Sequence, residues 1–267
     1  MKKNSRGKIR AQELLCEIGY DEVTHVPMKF LVSGLGATLI EEELQNSDGK
    51  IVRGKKKTLI KVNSMIPFES KKRFTIAHEL GHFLLHEKLE DHSENSKTLN
   101  WFKNTENQLK RGIQEWEAND FASELLMPEA LFRKEAEGIP FTPDLVKTLS
   151  ERFKTSITSA LIRCVKLDIH PLLIVYISDG MVRNWDRSSS WKYFVNDYTK
   201  VAPPNNSVAQ EYIDAEYNFI YQGKEKAQEI DKSTWCKLYP DEEDSDFFEY
   251  CIPTKLYKTI ISVVWEL

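Results

Sequence analysis

Long apolar runs are missing from this chain. No stretch approaches the roughly 18 residues that a bilayer-spanning helix needs, and the opening MKKNSRGKIR has no apolar segment behind its charges. Neither a membrane partner nor a secretory leader is expected, and the chain reads as cytoplasmic. Cysteine is scarce: Cys16, Cys164, Cys236 and Cys251 include no CxxC pair, which excludes a disulfide framework and makes reduced thiols the expectation. A dominant charge is also lacking, since 37 basic residues face 41 acidic ones. Residues 169–267 carry ten basic against 16 acidic groups, so that third has no general field for nucleic acid. There is no internal repeat and no low-complexity tract. What is present is ordinary for a folded protein, with 41% hydrophobic and 29% charged residues in a length of 267, enough for one large or two modest domains.

Periodicity supplies the organisation. Ile9, Leu14, Leu15 and Ile18 recur at helical spacing over residues 8–19, and Gly19 is placed to end that helix. Residues 37–44, 50–53 and 57–62 read as strands, joined by the turn signal Asn46-Ser47-Asp48-Gly49 and by Gly54. A helix follows from Lys71 to about Glu87 with Ser70 as its N-cap, then a polar stretch, 90–110, that reads as a long loop. Helical patterns return over 112–127, 129–137, 143–153 and 158–167. Beyond His170-Pro171 the composition changes, because residues 169–267 hold 17 of the 29 aromatics, with strand-like runs at 172–178, 181–185, 191–195 and 259–265. The expected organisation is α+β: a domain over 1–168 and a smaller, aromatic, β-rich domain over 169–267, divided near Asp168.

The chemistry concentrates in His78-Glu79-Leu80-Gly81-His82. Positions i and i+4 of a helix set two imidazoles roughly 6 Å apart at their stems, close enough to share one tetrahedral zinc ion. Glu79 follows the first histidine and is placed to act as general base on a water beside the metal, the role this motif gives it in metallopeptidases. A metzincin pattern would need glycine at 85 and histidine at 88, where Leu85 and Lys88 stand. His86 lies about 12 Å along the helix axis from His78, too far for three histidines to meet one ion, and it reads as a supporting residue around the ligands. The third ligand is expected from the later helix. There Glu115 and Asn119 are again i and i+4, so that Glu115 can bind metal while Asn119 orients a ligating histidine. Ala118 and Ala122 would let that helix pack closely. Glu117 points about 200° away from Glu115, so only one of the two can face the metal. The reading takes Glu115; the alternative is that both are surface charges.

These residues resemble a known family. Phe74 to His86, reading FTIAHELGHFLLH, together with Glu115-x-x-Ala118-Asn119-x-Phe121-Ala122-x-x-Leu125-Leu126-Met127-Pro128, is similar to the ImmA/IrrE zinc metallo-endopeptidases, and Leu59 to Asn63 resembles the strand before their active-site helix. The resemblance covers about residues 8–167. It implies a minimal gluzincin-like core in which His78, His82 and Glu115 bind one Zn²⁺ and Glu79 is the base. It further implies a protein substrate, a helix-turn-helix repressor whose cleavage switches on stress or mobile-element genes. Three further expectations concern the substrate. If residues 57–63 form an edge strand, Ile60, Val62 and Asn63 would meet an extended peptide by β-augmentation, the alternative being a strand paired on both sides. Tyr20, His25 and His92 are candidates for steadying the oxyanion. Residues 169–267 would select the substrate or restrain cleavage.

The competing reading is a DNA-binding or ligand-sensing regulator in which metal is structural. Residues 145–166 resemble a helix-turn-helix weakly, and 143–167 carry five basic against two acidic groups. Lys154 stands where that turn commonly has glycine, so packing rather than base readout is expected of these helices.

Overall fold

The structure, a computed structural model, describes residues 5–87 and 110–266. The stretch read as a long loop, and His92 within it, therefore lie almost wholly outside the described residues. The chain divides into two compact units, one of Met1–Glu135 with Leu149–Ser159 and the other of Ala136–Thr148 with Ala160–Leu267. The division thus runs within three helices rather than at one point in the chain.

The first unit opens with α1 (Arg6–Glu17), capped by Ser5, whose hydroxyl accepts from Lys8 N at 3.1 Å. Its Ala11, Leu14 and Leu15 are buried. A short α2 (Met28–Gly34), unrecognised in the sequence pattern, precedes β1 (Ala37–Glu42), β2 (Gly49–Arg53) and β3 (Thr58–Asn63). The sheet order is β1-β3-β2, with β3 parallel to β1 and antiparallel to β2. Asn46 makes the turn into β2 with a left-handed φ of 62°, a conformation asparagine tolerates better than most residues.

This order corrects the edge-strand expectation. β3 is central, and its alternating Ile60 and Val62 are 0% exposed, so they build the core instead of meeting substrate. Asn63 is equally committed, since its amide nitrogen donates to Leu44 O and Ser47 O and its Oδ1 accepts from Met65 N.

The sheet packs on α3 (Glu69–Leu85), which starts two residues earlier than the pattern implied. Its N-cap is Phe68, with no side-chain cap, and Ser70 lies inside the helix; Glu69 in the first turn complements the dipole instead. The helix α4 (Lys110–Leu126) lies against both α1 and α3, and Phe121, Ala122 and Leu125 join Leu14, Val32, Ala77 and Leu80 in one core. α5 (Glu129–Ala136) follows, its first N–H held by the buried Glu124 carboxylate.

Like α5, whose last residue Ala136 belongs to the second unit, α6 (Pro143–Phe153) and α7 (Ile157–Leu167) are divided between the units. Lys154 between them takes φ +52°, the conformation for which glycine is the commoner choice. Along α7, Ala160 through Val165 are buried, and Arg163, one of the five basic residues of this segment, is only 5% exposed and so does not face solvent.

The second unit is built on a five-stranded antiparallel sheet of order β5-β4-β8-β7-β6, from β4 (Leu173–Ser178), β5 (Met181–Arg187), β6 (Ala227–Asp231), β7 (Asp246–Thr254) and β8 (Thr259–Glu266). β4 is buried at all six positions. Residues 191–195, expected as a strand, contribute only the bridge Val195–Cys236. Their aromatics serve packing: Trp191 and Tyr193 stand edge-on to Phe247 at 5.9 and 5.1 Å between ring centres. α8 (Val208–Asp214), capped by Ser207, covers β7 and β8.

Candidate metal centre

The site forms where α3 meets α4. Close approach of the two helices depends on missing side chains. A Cβ on Gly81 of α3 would lie 3.1 Å from Ala118 Cα and 3.0 Å from Phe121 Cδ1. At the neighbouring residue of α4, a Cβ on Gly7 of α1 would fall 1.9 Å from Glu117 O. α4 is therefore pinched at residues 117–121, and its position along α3 is fixed where Glu115 and Asn119 project.

His78, His82 and Glu115 are all buried, and one ligand atom from each lies within 4.8 Å of the others. The two Nε2 atoms are 3.0 Å apart, and the Glu115 oxygens stand 3.2 Å from His78 Nε2 and 3.3 Å from His82 Nε2. Tetrahedral bonds of 2.0–2.1 Å place donor atoms about 3.3 Å apart, so both the spacing and the two-nitrogen, one-oxygen donor set fit a zinc ion with one position left open.

Electrostatics favour ligand-ready forms. Burial depresses His82 to about 4, against the opposing pull of the Glu115 carboxylate, so the ring is neutral at physiological pH. Burial alone would raise Glu115, but its interactions with the His78 and His82 rings outweigh it and hold the carboxyl well below the usual range. Each ring is also oriented from behind. His78 Nδ1 donates to Asn119 Oδ1 at 2.9 Å, which leaves Nε2 with its lone pair toward the cluster. His82 Nδ1 instead lies 3.0 Å from His86 Nδ1, and His86 Nε2 lies 2.9 Å from Glu117 Oε2.

His86 terminates α3, and that end is tied down by Arg53, whose guanidinium donates to His86 O at 2.6 Å and Phe83 O at 3.2 Å, and by Arg6, which donates to Leu85 O at 3.1 Å. Cations at the carbonyl end complement the helix dipole.

Glu79 is 5% exposed and stands outside the three-residue cluster. It rests against the start of β2: a Cβ on Gly49 would come within 2.8 Å of Glu79 Oε1 and 2.7 Å of Thr75 Cγ2. Only glycine leaves room for the carboxylate there. Tyr20 and His25 are exposed and are not members of the cluster. The sequence pattern had given Gly7 and Arg53 no role at the site, read Gly49 only as part of a turn, and weighed Glu117 only against Glu115 for the metal.

Comparison with known proteins agrees with this geometry. The family model for the Peptidase_M78 domain, described as an IrrE N-terminal-like domain, matches residues 32–165, half of the chain. The chain belongs to this family, as the motifs implied. Among solved structures, a Mycobacterium tuberculosis transcriptional regulator has a similar fold, with a TM-score of 0.60 and 14% identity over 98% of this chain and 88% of the other. A comparison with curated proteins found no match. Among the described residues no helix is long and apolar enough to cross a membrane.

Proposed function

We propose that this protein is a zinc-dependent endopeptidase acting on a protein substrate, most specifically a helix-turn-helix transcriptional repressor. The observation that carries the reading is the convergence of His78 Nε2 and His82 Nε2 with the Glu115 carboxylate, one oxygen 3.2 Å from the first nitrogen and the other 3.3 Å from the second, with Glu79 on the same helix as the two histidines. Zinc held there would supply Lewis acidity, polarising the scissile carbonyl and acidifying a water. Glu79 takes the proton of the attacking water and passes it to the leaving amine. Asn119 holds the His78 ring in place through Nδ1.

An extended substrate finds its main-chain partner in β2. Among the described residues β2 pairs only with β3, and its first residue, Gly49, touches Glu79. A peptide added along that edge would run past the base. Family membership supports the repressor as substrate, and the second unit is then the part that selects it or restrains the cut.

The test is incubation of the zinc-loaded full chain, and of Glu79→Ala, with the helix-turn-helix repressor encoded beside its gene, resolved by intact mass. A defined cut made only by the wild type supports the reading. Zinc bound by both proteins with no cut by either would refute that substrate, and a cut made equally by both would refute the role of Glu79.

A further inference from the structure

His82 is backed by a chain of polar groups that neither the motif nor the metal cluster accounts for. The contacts run from Glu117 Oε2 to His86 Nε2 at 2.9 Å, and from His86 Nδ1 to His82 Nδ1 at 3.0 Å. All three side chains are nearly enclosed, with 12%, 3% and 4% of their side-chain surface exposed. The rings of His82 and His86 stand 5.1 Å apart and tilted by 54°, so they meet through these nitrogens rather than by stacking.

We propose that Glu117 and His86 are positioning residues that fix the tautomer of His82 so that its Nε2 lone pair faces the metal. The direction of the chain follows from its end. An ionised carboxylate only accepts hydrogen bonds, so Glu117 draws the His86 proton to Nε2. With that proton on Nε2, His86 Nδ1 is left to accept from His82 Nδ1–H. That leaves His82 Nε2 unprotonated, the form that ligates.

The opposite ligand is held differently. His78 donates to the Asn119 amide, which has a donor end as well as an acceptor end and fixes polarity only through its own orientation. The chain behind His82 ends on a carboxylate with no donor end, so a relay carrying one proton on each ring runs in one direction only. α1 completes the device by holding Glu117 from outside. Gly7 lets the two helix backbones touch at Glu117 O, and Arg6 Nη1 stands 4.0 Å from Glu117 Oε2.

The inference rests on zinc occupying the His78–His82–Glu115 cluster, but its test does not require peptidase activity. Full-length wild type, the isosteric Glu117→Gln, His86→Phe and the double variant are compared in two measurements. In the metal-free proteins, imidazole nitrogen NMR reads where the His82 proton sits, and thermal unfolding checks that each variant folds. Zinc affinity is then measured by competition with a chelator. The expected result is a proton on His82 Nδ1 in the wild type, redistributed toward Nε2 in Glu117→Gln. Zinc dissociation constants should rise by about 10–100-fold in each single variant. In the double variant the loss should stay close to that of the worse single, because the two residues act in series.

A wild-type proton on His82 Nε2, or folded variants that bind zinc as tightly as wild type, would overturn the relay. Losses that simply add would overturn it as well. Wild type that binds no zinc would overturn the metal reading together with it, whereas zinc bound equally by wild type and Glu117→Gln would overturn the relay alone. If His86→Phe fails to fold, Glu117→Gln still decides.

Discussion

In the first unit His78, His82 and Glu115 are buried with their ligand atoms gathered around one point, whereas in the second unit Glu249 is buried with its carboxylate surrounded by donors. Glu249 is 0% exposed and accepts from Val208 N at 2.8 Å, Ala209 N at 3.2 Å and Ser262 Oγ at 2.6 Å. It closes the start of α8, and burial still pushes its pKa up. Both units therefore keep polar atoms out of water, but only one leaves lone pairs facing each other. A satisfied buried carboxylate specifies structure, while a convergent set of acceptors asks for a cation. Burial of polar groups does not by itself mark a site; the direction of their lone pairs does.

The contrast can be broken at several points. Replacing Glu79 with Gln should slow cleavage by about 10²–10⁴-fold while one zinc per chain is retained, because the base is not a ligand. Intact mass and metal analysis on the same sample would show both. At Glu249 the expected damage is to folding alone. Glu249→Ala should cost about 3 kcal/mol, by orphaning the Val208 and Ala209 N–H groups, with zinc affinity unchanged. Urea unfolding of the metal-free protein checks the first part, chelator competition the second.

A subtler change is Gly49→Ala, which forces a methyl against Glu79 Oε1 and should lower the cleavage rate by about tenfold through misplacement of the base, again without loss of zinc. Retained activity would show that the Glu79 carboxylate accommodates the methyl.

The smallest effect concerns His170 in the second unit. Its Nε2 is buried without a hydrogen-bond partner among the described residues, Phe141 stands edge-on to its ring, and burial lowers its pKa. The folded state thus prefers the neutral ring, whereas the unfolded chain takes up a proton near about 6.5. Stability contributed at higher pH should be lost as pH falls below that value. Denaturation midpoints between pH 7.5 and about 5 should show a slope that is shallower in His170→Phe.

The parts of this molecule legible in the sequence are those governed by local geometry. The helical repeat alone brings His78 and His82 to one face, and likewise Glu115 and Asn119, so their company can be read from spacing. Strand pairing is not local, and β3 reads identically whether it is an edge or a centre. Only β1, arriving parallel from before the hairpin, decides it. In the second unit β7 escaped notice because Glu249 interrupts its apolar alternation and Pro253 sits beyond the last residue paired with β6. Residues 191–195 misled in the other direction, as aromatics suited to a strand pack a loop instead. Glu117 was hidden because its role depends on where α1 docks.

That docking has a consequence for how the protein is made. Gly7 and Glu117 touch although more than a hundred residues separate them along the chain, and Glu115 joins the two histidines only when α4 settles in the same cleft. Contacts this distant in sequence form late in folding. A ribosome releasing the chain presents His78 and His82 well before their third partner, so a nascent chain holds at most a weak, two-ligand grip on metal. On the proposed reading, tight zinc capture would report that the N-terminal helix has found its place, and a peptidase built this way would gain its hydrolytic capacity only after the fold that confines it is complete.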